Sequence, residues 1–318
     1  MWSPDIGSWV FRMLMVRDKS IAVLVPCKNE AVTIRSVVDS FRSALPGCTV
    51  HVYDNNSTDD TAAIARQAGA VVGRESRPGK GNVVRRMFSE IDADIYIMVD
   101  GDDTYDASAA PALVEKLVSE EADMVVAARI GASEKHQRKG HAFGNRLFNV
   151  IYSGLFGREF SDIFSGYRVF SRRFVKSFPA VSAGFEIETE LSVHASQLRL
   201  PVCEMALPYK DRPEGSTSKL STVRDGARIL KTIIVLLKEY KPLYFFGGIG
   251  LAGILFAFLL ALPIFIEFSR TGLVERLPTA ILCTGITIVS MLAITAGVVL
   301  DSIRRMRAEI KRMFYNLT

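Results

Sequence analysis

Two stretches of 24 residues without a single charge, Leu243 to Ile266 and Leu277 to Leu300, constrain this chain more than any other feature. A helix of that length runs roughly 36 Å, enough to cross a hydrocarbon core of about 30 Å with some tilt. Core helices of soluble domains are rarely that long without a charge, so the pair reads as a membrane hairpin. Its short loop balances Arg270 and Arg276 against Glu267 and Glu275, whereas the tail beyond it carries Arg304, Arg305, Arg307, Lys311 and Arg312. The positive-inside rule places that tail, and the large N-terminal part with it, on the cytoplasmic side of the cell membrane. Pro263 is expected to kink the first span, and Pro278 suits the first turn of the second.

The chain has 318 residues, which leaves room for one globular domain of ordinary size ahead of the hairpin. A net charge of +5 is modest and implies no nucleic-acid partner. Cys27, Cys48, Cys203 and Cys283 have no metal-ligand spacing and read as reduced thiols. Residues 1–18 lack the basic start of a signal peptide, and Arg12 interrupts their apolar run. Ile6, Trp9, Val10, Met13 and Leu14 follow helical spacing, which suits an amphipathic segment lying on the membrane or on the domain. Asn-x-Ser/Thr triplets at Asn55, Asn56 and Asn316 fall on the cytoplasmic side, which argues against glycosylation there.

From residue 19 to 218, short apolar runs alternate with amphipathic stretches. Strands are expected at Ile21–Val25, Val50–Tyr53, Val71–Val72, Ile95–Val99 and Met124–Ala128. Helices are expected through Ile34, Val37, Val38 and Phe41, and from Asp59 to Gly69. Continuous apolar strands separated by helices argue a mostly parallel sheet covered on both faces. Ligands of such sheets bind at the carboxyl ends of the strands. Those ends carry Pro26-Cys-Lys-Asn-Glu30, Asp54-Asn-Asn-Ser57 and Asp100-Gly-Asp102, three polar clusters along one edge. Residues 219–242 then place Leu220, Val223, Ala227, Leu230, Ile234 and Leu237 on one face, with Arg224, Arg228, Lys231 and Lys238 opposite. A basic amphipathic helix leading into a membrane span is expected to lie among anionic headgroups; packing on its own domain is the alternative.

Asp100-Gly101-Asp102 is the strongest chemical signal. Two carboxylates just past a strand can grip a hard dication, and Mg²⁺ or Mn²⁺ typically takes one or two carboxylates plus substrate phosphates. Gly101 lets backbone approach a ligand closely. Asp103 and Asp106 either supplement the site or cap the helix starting near Ser108. Gly79-Lys80-Gly81-Asn82 precedes a helix, where amides and a lysine can meet phosphate or the sugar donor. It is not a P-loop: the spacing from Gly73 is one residue too long, and Gly81 stands where a Ser or Thr would hold the metal.

In combination, Val25-Pro-Cys-Lys-Asn-Glu30, Tyr53-Asp-Asn-Asn-Ser-Thr-Asp59, Gly79-Lys-Gly81 and Val99-Asp-Gly-Asp102 resemble the motifs of family 2 glycosyltransferases. Phe164-Ser-Gly-Tyr-Arg168, Gly184-Phe-Glu-Ile-Glu188 and Tyr209-Lys-Asp-Arg212 through Ser218-Lys219-Leu220 narrow this further. They resemble the polyprenyl-phosphate branch, with its dolichol-phosphate mannose synthases and bacterial GtrB-like enzymes. The resemblance implies an α/β GT-A fold, a Rossmann-like and mostly parallel sheet with helices on both faces, followed by the interfacial helix and the two-helix transmembrane hairpin. It implies inverting, metal-dependent sugar transfer from a nucleotide sugar, uridine diphosphate sugars being favoured over guanosine diphosphate mannose, to undecaprenyl or another polyprenyl phosphate. Mg²⁺ or Mn²⁺ is the implied cofactor, membrane lipids are implied partners, and a homo-oligomer is an open expectation.

By that resemblance Pro26, Lys28, Glu30 and Asp54 hold the nucleotide's base and ribose, with Lys80 and Gly101 at the donor. Asp100 contacts the nucleotide sugar, and Asp102 coordinates the metal. Thr104 stands where mannose-synthase relatives have a metal-binding Gln. Arg129 is implied near the diphosphate, and Arg212, Ser218 and Lys219 at the acceptor phosphate; the arginines and lysine read otherwise as surface charges. A lipid phosphate is already anionic at neutral pH and needs positioning rather than a general base. Glu186, Glu188 and Glu190 therefore read as structural or lip residues. A processive polysaccharide synthase is excluded, because its Gln-x-x-Arg-Trp element needs a late Trp and this chain has only Trp2 and Trp9. The remaining rivals are a non-catalytic scaffold with a nucleotide-sugar fold and a transferase acting on a sugar hydroxyl.

Overall fold

A computed structural model describes residues 19–130, 160–179, 187–208, 210, 234–235 and 237–317. These fall into two compact units, one of residues up to 210 together with 311–317, the other of residues 234–310.

The first unit is built on seven strands: β1 Ile21–Cys27, β2 Thr49–Asp54, β3 Val71–Arg74, β4 Ile95–Met98, β5 Met124–Ile130, β6 Arg168–Ser171 and β7 Val202–Pro208. Their order in the sheet is β3-β2-β1-β4-β6-β5-β7. All neighbouring pairs are parallel except those of β6, which runs antiparallel to β4 and β5. This is the expected mostly parallel sheet, and β6 is an element the apolar runs did not disclose. Its four residues include the charge of Arg168, which breaks the continuous apolar pattern that marks a buried strand.

Helices α1 (Ile34–Ala44), α2 (Thr61–Gln67), α3 (Lys80–Glu90), α4 (Ala110–Ser119), α5 (Arg172–Ser177) and α6 (Ile187–Leu198) cover the sheet. Ile34, Val37, Val38 and Phe41 of α1 are buried, as their three- and four-residue spacing requires. They share one core with Val23 and Val25 of β1, Val52 of β2, Ile97 of β4 and Leu113 of α4. Below the opposite end of the sheet, Asp123 is fully buried and accepts hydrogen bonds from Ser171 Oγ at 2.6 Å, Arg173 Nε at 2.5 Å and Tyr315 OH at 2.6 Å. The Arg173 guanidinium also lies 5.3 Å from the centroid of the Tyr315 ring.

The second unit contains α7 (Pro242–Thr271) and most of α8 (Leu277–Leu317). Both are long and apolar enough to cross a membrane. Pro242 opens α7, and Gly272 closes it in the left-handed conformation at φ 69°. α7 continues past Pro263 to Thr271, and α8 does not stop at Leu300 but carries the basic tail as more helix. Asp301 supports that extension by accepting from Arg304 Nε and Arg305 Nε, each at 3.0 Å. The two helices meet through small residues. A Cβ on Gly250 would lie 2.6 Å from the Ser290 carbonyl oxygen, and one on Gly253 only 2.1 Å from Ser290 Oγ. Leu251, Leu255, Phe258, Ile281, Val289 and Leu292 are exposed. Helices of a soluble core bury such faces, so this surface suits lipid.

Candidate active site

β1, β2 and β3 end in register, with Cys27 opposite Asp54 and Asp54 opposite Arg74. The loops after them and after β4 therefore line one edge of the sheet, where ligands of parallel sheets bind. Asn55 ties three of these segments together. Its backbone N–H donates to Cys27 O at 2.8 Å, and its Nδ2 donates to Glu75 O at 2.9 Å and Arg77 O at 2.7 Å. Its Oδ1 accepts from Gly79 N at 2.7 Å, which fixes the start of α3. Asn29, in the left-handed region at φ 54°, accepts from Thr58 N at 2.8 Å.

The four residues implied for base and ribose lie along this edge. Pro26 and Asp54 are on the strand ends, and Lys28 and Glu30 follow β1, Lys28 being exposed. Asp54 is buried, and among the described residues its carboxylate receives long bonds of 3.3 Å from Ser57 N. Glu30 lies against the Asp-Gly-Asp turn, its Cγ 3.7 Å from where a Gly101 Cβ would stand.

That turn is held by α1. Thr33 Oγ1 donates to Gly101 O at 2.6 Å, and Ser36 Oγ donates to Asp103 at 2.8 Å. Gly101 is required by packing, because a Cβ there would stand 2.6 Å from Cys27 Sγ. Asp106 accepts from Ser108 N at 3.1 Å and caps the following turn, the second of the two roles open to it. Asp103 thus fastens the turn to α1 through a side-chain hydroxyl, and Asp106 caps backbone.

Asp102 is 4% exposed and accepts from Thr104 Oγ1 at 2.6 Å and Thr104 N at 3.3 Å. Thr104 is itself fully buried, so its hydroxyl orients the carboxylate. No group of three or more Asp, Glu, His or Cys able to hold a metal occurs among the described residues. The donor set still fits a hard dication of the kind that takes one or two carboxylates and completes its shell with substrate phosphate and water. Asp102, oriented by Thr104 and approached over a glycine, is the residue that would hold it.

Asp100 has different neighbours. One oxygen accepts from Lys80 Nζ, and the other would lie 2.3 Å from a Cβ on Gly166, so Gly166 lets the Phe164-Ser-Gly-Tyr-Arg168 loop close over it. Gly166 N donates to Tyr105 OH at 2.9 Å. Burial, then the Asp100 charge, pushes the Tyr105 hydroxyl's pKa well above the usual tyrosine value, keeping it neutral. Lys80 also donates to Glu188, near the start of α6. Burial works against the ammonium charge, but the two carboxylates outweigh it and hold the Lys80 pKa above its ordinary value. Lys80, expected at phosphate or the sugar donor, is paired with two carboxylates, and Glu188, expected to be structural or on the lip, is buried beside it.

Arg129, at the end of β5, forms a two-pronged pair with Asp162, Nε donating at 2.6 Å and the terminal nitrogen at 2.9 Å. Burial opposes the Asp162 charge, but Arg129 holds its carboxyl below the usual range. Asp162 escaped sequence reasoning because it stands outside the motifs. Arg168 is fully buried and donates to Ser165 O, Ile163 O and Ser192 Oγ, which braces the glycine loop. Residues 1–18, Glu186, Arg212, Ser218, Lys219 and most of 219–242 lie outside the described residues, so the structure does not place the expected acceptor-phosphate cluster.

A family model described as glycosyl transferase family 2 matches residues 22–178. Glycosyltransferase AglJ of Haloferax volcanii is 33% identical over 290 residues, covering 89% of this chain and 91% of that protein. Dolichyl-phosphate hexose transferase of the same organism is 26% identical over 221 residues, covering 70% and 95%. Among solved structures, glucosyl-3-phosphoglycerate synthase from Mycobacterium tuberculosis, in complex with Mn²⁺, UDP and glucosyl-3-phosphoglycerate, aligns with a TM-score of 0.60. That alignment covers 75% of this chain and 86% of the other at 24% identity.

Proposed function

The chain belongs to glycosyl transferase family 2, and we propose that this glycosyltransferase moves a sugar from a nucleoside diphosphate to a polyprenyl phosphate at a membrane surface. The carrying observation is that one chain joins an Asp-Gly-Asp site at a sheet edge to two helices apolar enough to span a bilayer. A water-soluble donor and a lipid-soluble acceptor fit that combination. A relative named dolichyl-phosphate hexose transferase supports the acceptor class, and solved relatives in fold with Mn²⁺ or Mg²⁺ and UDP support a uridine diphosphate donor.

In this reading Pro26, Lys28, Glu30 and Asp54 receive the base and ribose. Asp100 faces the donor sugar, with Lys80 neutralising it and Gly166 covering it. Asp102 holds Mg²⁺ or Mn²⁺, which as a Lewis acid offsets the charge developing on the departing diphosphate. Arg129, aimed by Asp162, stands toward the diphosphate. Arg212, Ser218 and Lys219 take the acceptor phosphate, whose oxygen attacks the anomeric carbon with inversion. That oxygen is already anionic, so no general base is required. The helices cross the cell membrane with the N-terminal unit on the cytoplasmic side, and residues 219–242 lie in the headgroup layer.

Incubating the detergent-purified full chain with undecaprenyl phosphate, Mn²⁺ and a panel of labelled nucleotide sugars tests this directly. Label should pass into an organic phase for one sugar, and into an alkali-resistant, acid-labile lipid. Label that moves only onto sugar hydroxyls, or stays in water with every donor, rejects the lipid-phosphate acceptor.

A further inference from the structure

Past Leu300, where its uncharged stretch ends, α8 runs on through residues 301–317 as helix. That extension is about 25 Å at 1.5 Å per residue, and it contains no Pro or Gly to bend it sharply. Its surface divides into strips by spacing. Arg304 bonds Asp301, Lys311 bonds Gln197 and Tyr315 bonds Asp123, so one side of the helix is engaged within the chain. Roughly half a turn away stand Ile303, Met306, Ile310, Met313 and Leu317, separated by three, four, three and four residues. The last four are between 41% and 83% exposed. A third strip is polar and holds Ser302, Arg305, Glu309, Arg312 and Asn316.

Lipid does not account for the apolar strip. It serves the outward side chains of the span, but α8 has 41 residues and runs about 60 Å, twice the ~30 Å hydrocarbon core. The charges of Arg304, Arg305, Arg307, Glu309, Lys311 and Arg312 keep the extension out of that core. Alternating steps of three and four are the seam of a coiled coil. Ile303 and Ile310, branched at Cβ, alternate with Met306 and Met313, which follows the pattern of parallel two-stranded coils with Met in place of Leu. The same register carries back into the span through Val299, Ala296, Leu292, Val289, Gly285 and Leu282. All of these but Ala296 are exposed, and a Cβ on Gly285 would meet nothing within 4 Å, so a second helix can approach closely there. Across a parallel pair Ser302 lies beside Arg307 and Glu309 beside Phe314, so the flanks oppose no like charges.

We propose that α8 pairs in parallel with α8 of a second copy of this chain, along Ile303, Met306, Ile310, Met313 and Leu317. The pairing takes this strip out of water and makes the protein a dimer whose seam begins among lipid and continues beyond it. Its parallel direction rests on the membrane-crossing reading above, since copies inserted in one membrane with the same sidedness share one orientation.

The test is oxidative cross-linking in the membranes of cells that co-express two differently tagged full-length copies, with the native cysteines replaced. Met306→Cys and Met313→Cys lie in the seam, whereas Arg305→Cys and Arg312→Cys are their sequence neighbours on the polar strip. In a parallel pair each seam cysteine meets its own counterpart, so a species of doubled mass carrying both tags should form at least about fivefold more from the seam positions than from their neighbours. Equal cross-linking from seam and neighbour positions, or none from either, overturns the proposal. So does a product that joins this chain to a different protein. The double change Met306→Glu with Ile310→Glu places like charges across the seam. In detergent it should convert the dimer to a monomer, read by light scattering, with thermal unfolding unchanged because both side chains are exposed in the single chain. A mass unaffected by that change also counts against the pairing. Carbonate extraction of the same membranes tests the membrane reading separately, since a chain released into solution loses that reading whatever its cross-links.

Discussion

Asp102→Asn takes one charge from an almost fully buried carboxylate while keeping its shape and its acceptor for the Thr104 hydroxyl. Transfer should fall by at least about a hundredfold, the scale expected when charge stabilisation in a transition state is lost, with little change in thermal unfolding. Excess chelator should do the same to the native chain, and full activity in chelator would sink the metal assignment. Gly166→Ala approaches the site from the other side, since its new Cβ would stand 2.3 Å from the Asp100 carboxylate. It should depress transfer while Asp102 still binds Mn²⁺ in the presence of UDP. A third residue bears on stability. His194 is buried against Phe174 and Phe178, and burial, with the Lys311 charge, pushes its pKa down to about 3. The unfolded chain protonates this histidine near 6.5 while the folded one does not. Stability from His194 is therefore complete above that pH and declines by about 1.4 kcal/mol per unit on acidification toward 3. Melting curves at pH 7 and pH 5 should diverge more for the native protein than for His194→Leu.

Which residues the sequence disclosed follows from what sequence can encode. Asp100 and Asp102 were legible because an apolar strand points at them. Glu188 and Asp162 were not, since their importance lies in the partner each meets across the fold, Lys80 and Arg129. Elements show the same divide. β1 and β4 are continuous apolar runs, and β2 and β5 are built round the expected Val50–Tyr53 and Met124–Ala128, whereas β6 opens on the charge of Arg168. α8 runs on past Leu300, where the uncharged stretch ends, because charge, which ends a membrane span, does not end a helix. Within the hairpin the limit is steric. Gly253→Leu would drive a side chain into Ser290, so it should separate α7 from α8. Cysteines replacing neighbouring α7 and α8 residues should then cross-link in the native hairpin and fail to do so in the variant. Thr284, Thr287 and Thr295 return their hydroxyls to the carbonyls of Ala280, Cys283 and Met291, which pairs these three donors within the helix.

For the whole molecule, the arrangement of charges at the helix ends makes a prediction about sidedness. An impermeant thiol reagent applied to intact cells should reach a cysteine placed at Thr271 and miss one placed at Thr318, in a chain whose native cysteines have been replaced. The reverse pattern would put the sugar-nucleotide site outside the cell. Tyr315 carries a consequence of another kind, one of timing. Its hydroxyl is one of three side-chain donors to the buried Asp123, and the unit that holds the site is incomplete without it. A ribosome releases residue 315 only after it has made both apolar helices, so the Tyr315 bond to Asp123 forms after those helices have been synthesised. Tyr315→Phe should cost about 1–3 kcal/mol, the penalty for an unsatisfied buried acceptor. Nascent chains halted before Tyr315 should remain more sensitive to protease between residues 19 and 208 than finished ones. A chain that has not yet made both apolar helices therefore still lacks one of the three side-chain bonds on Asp123.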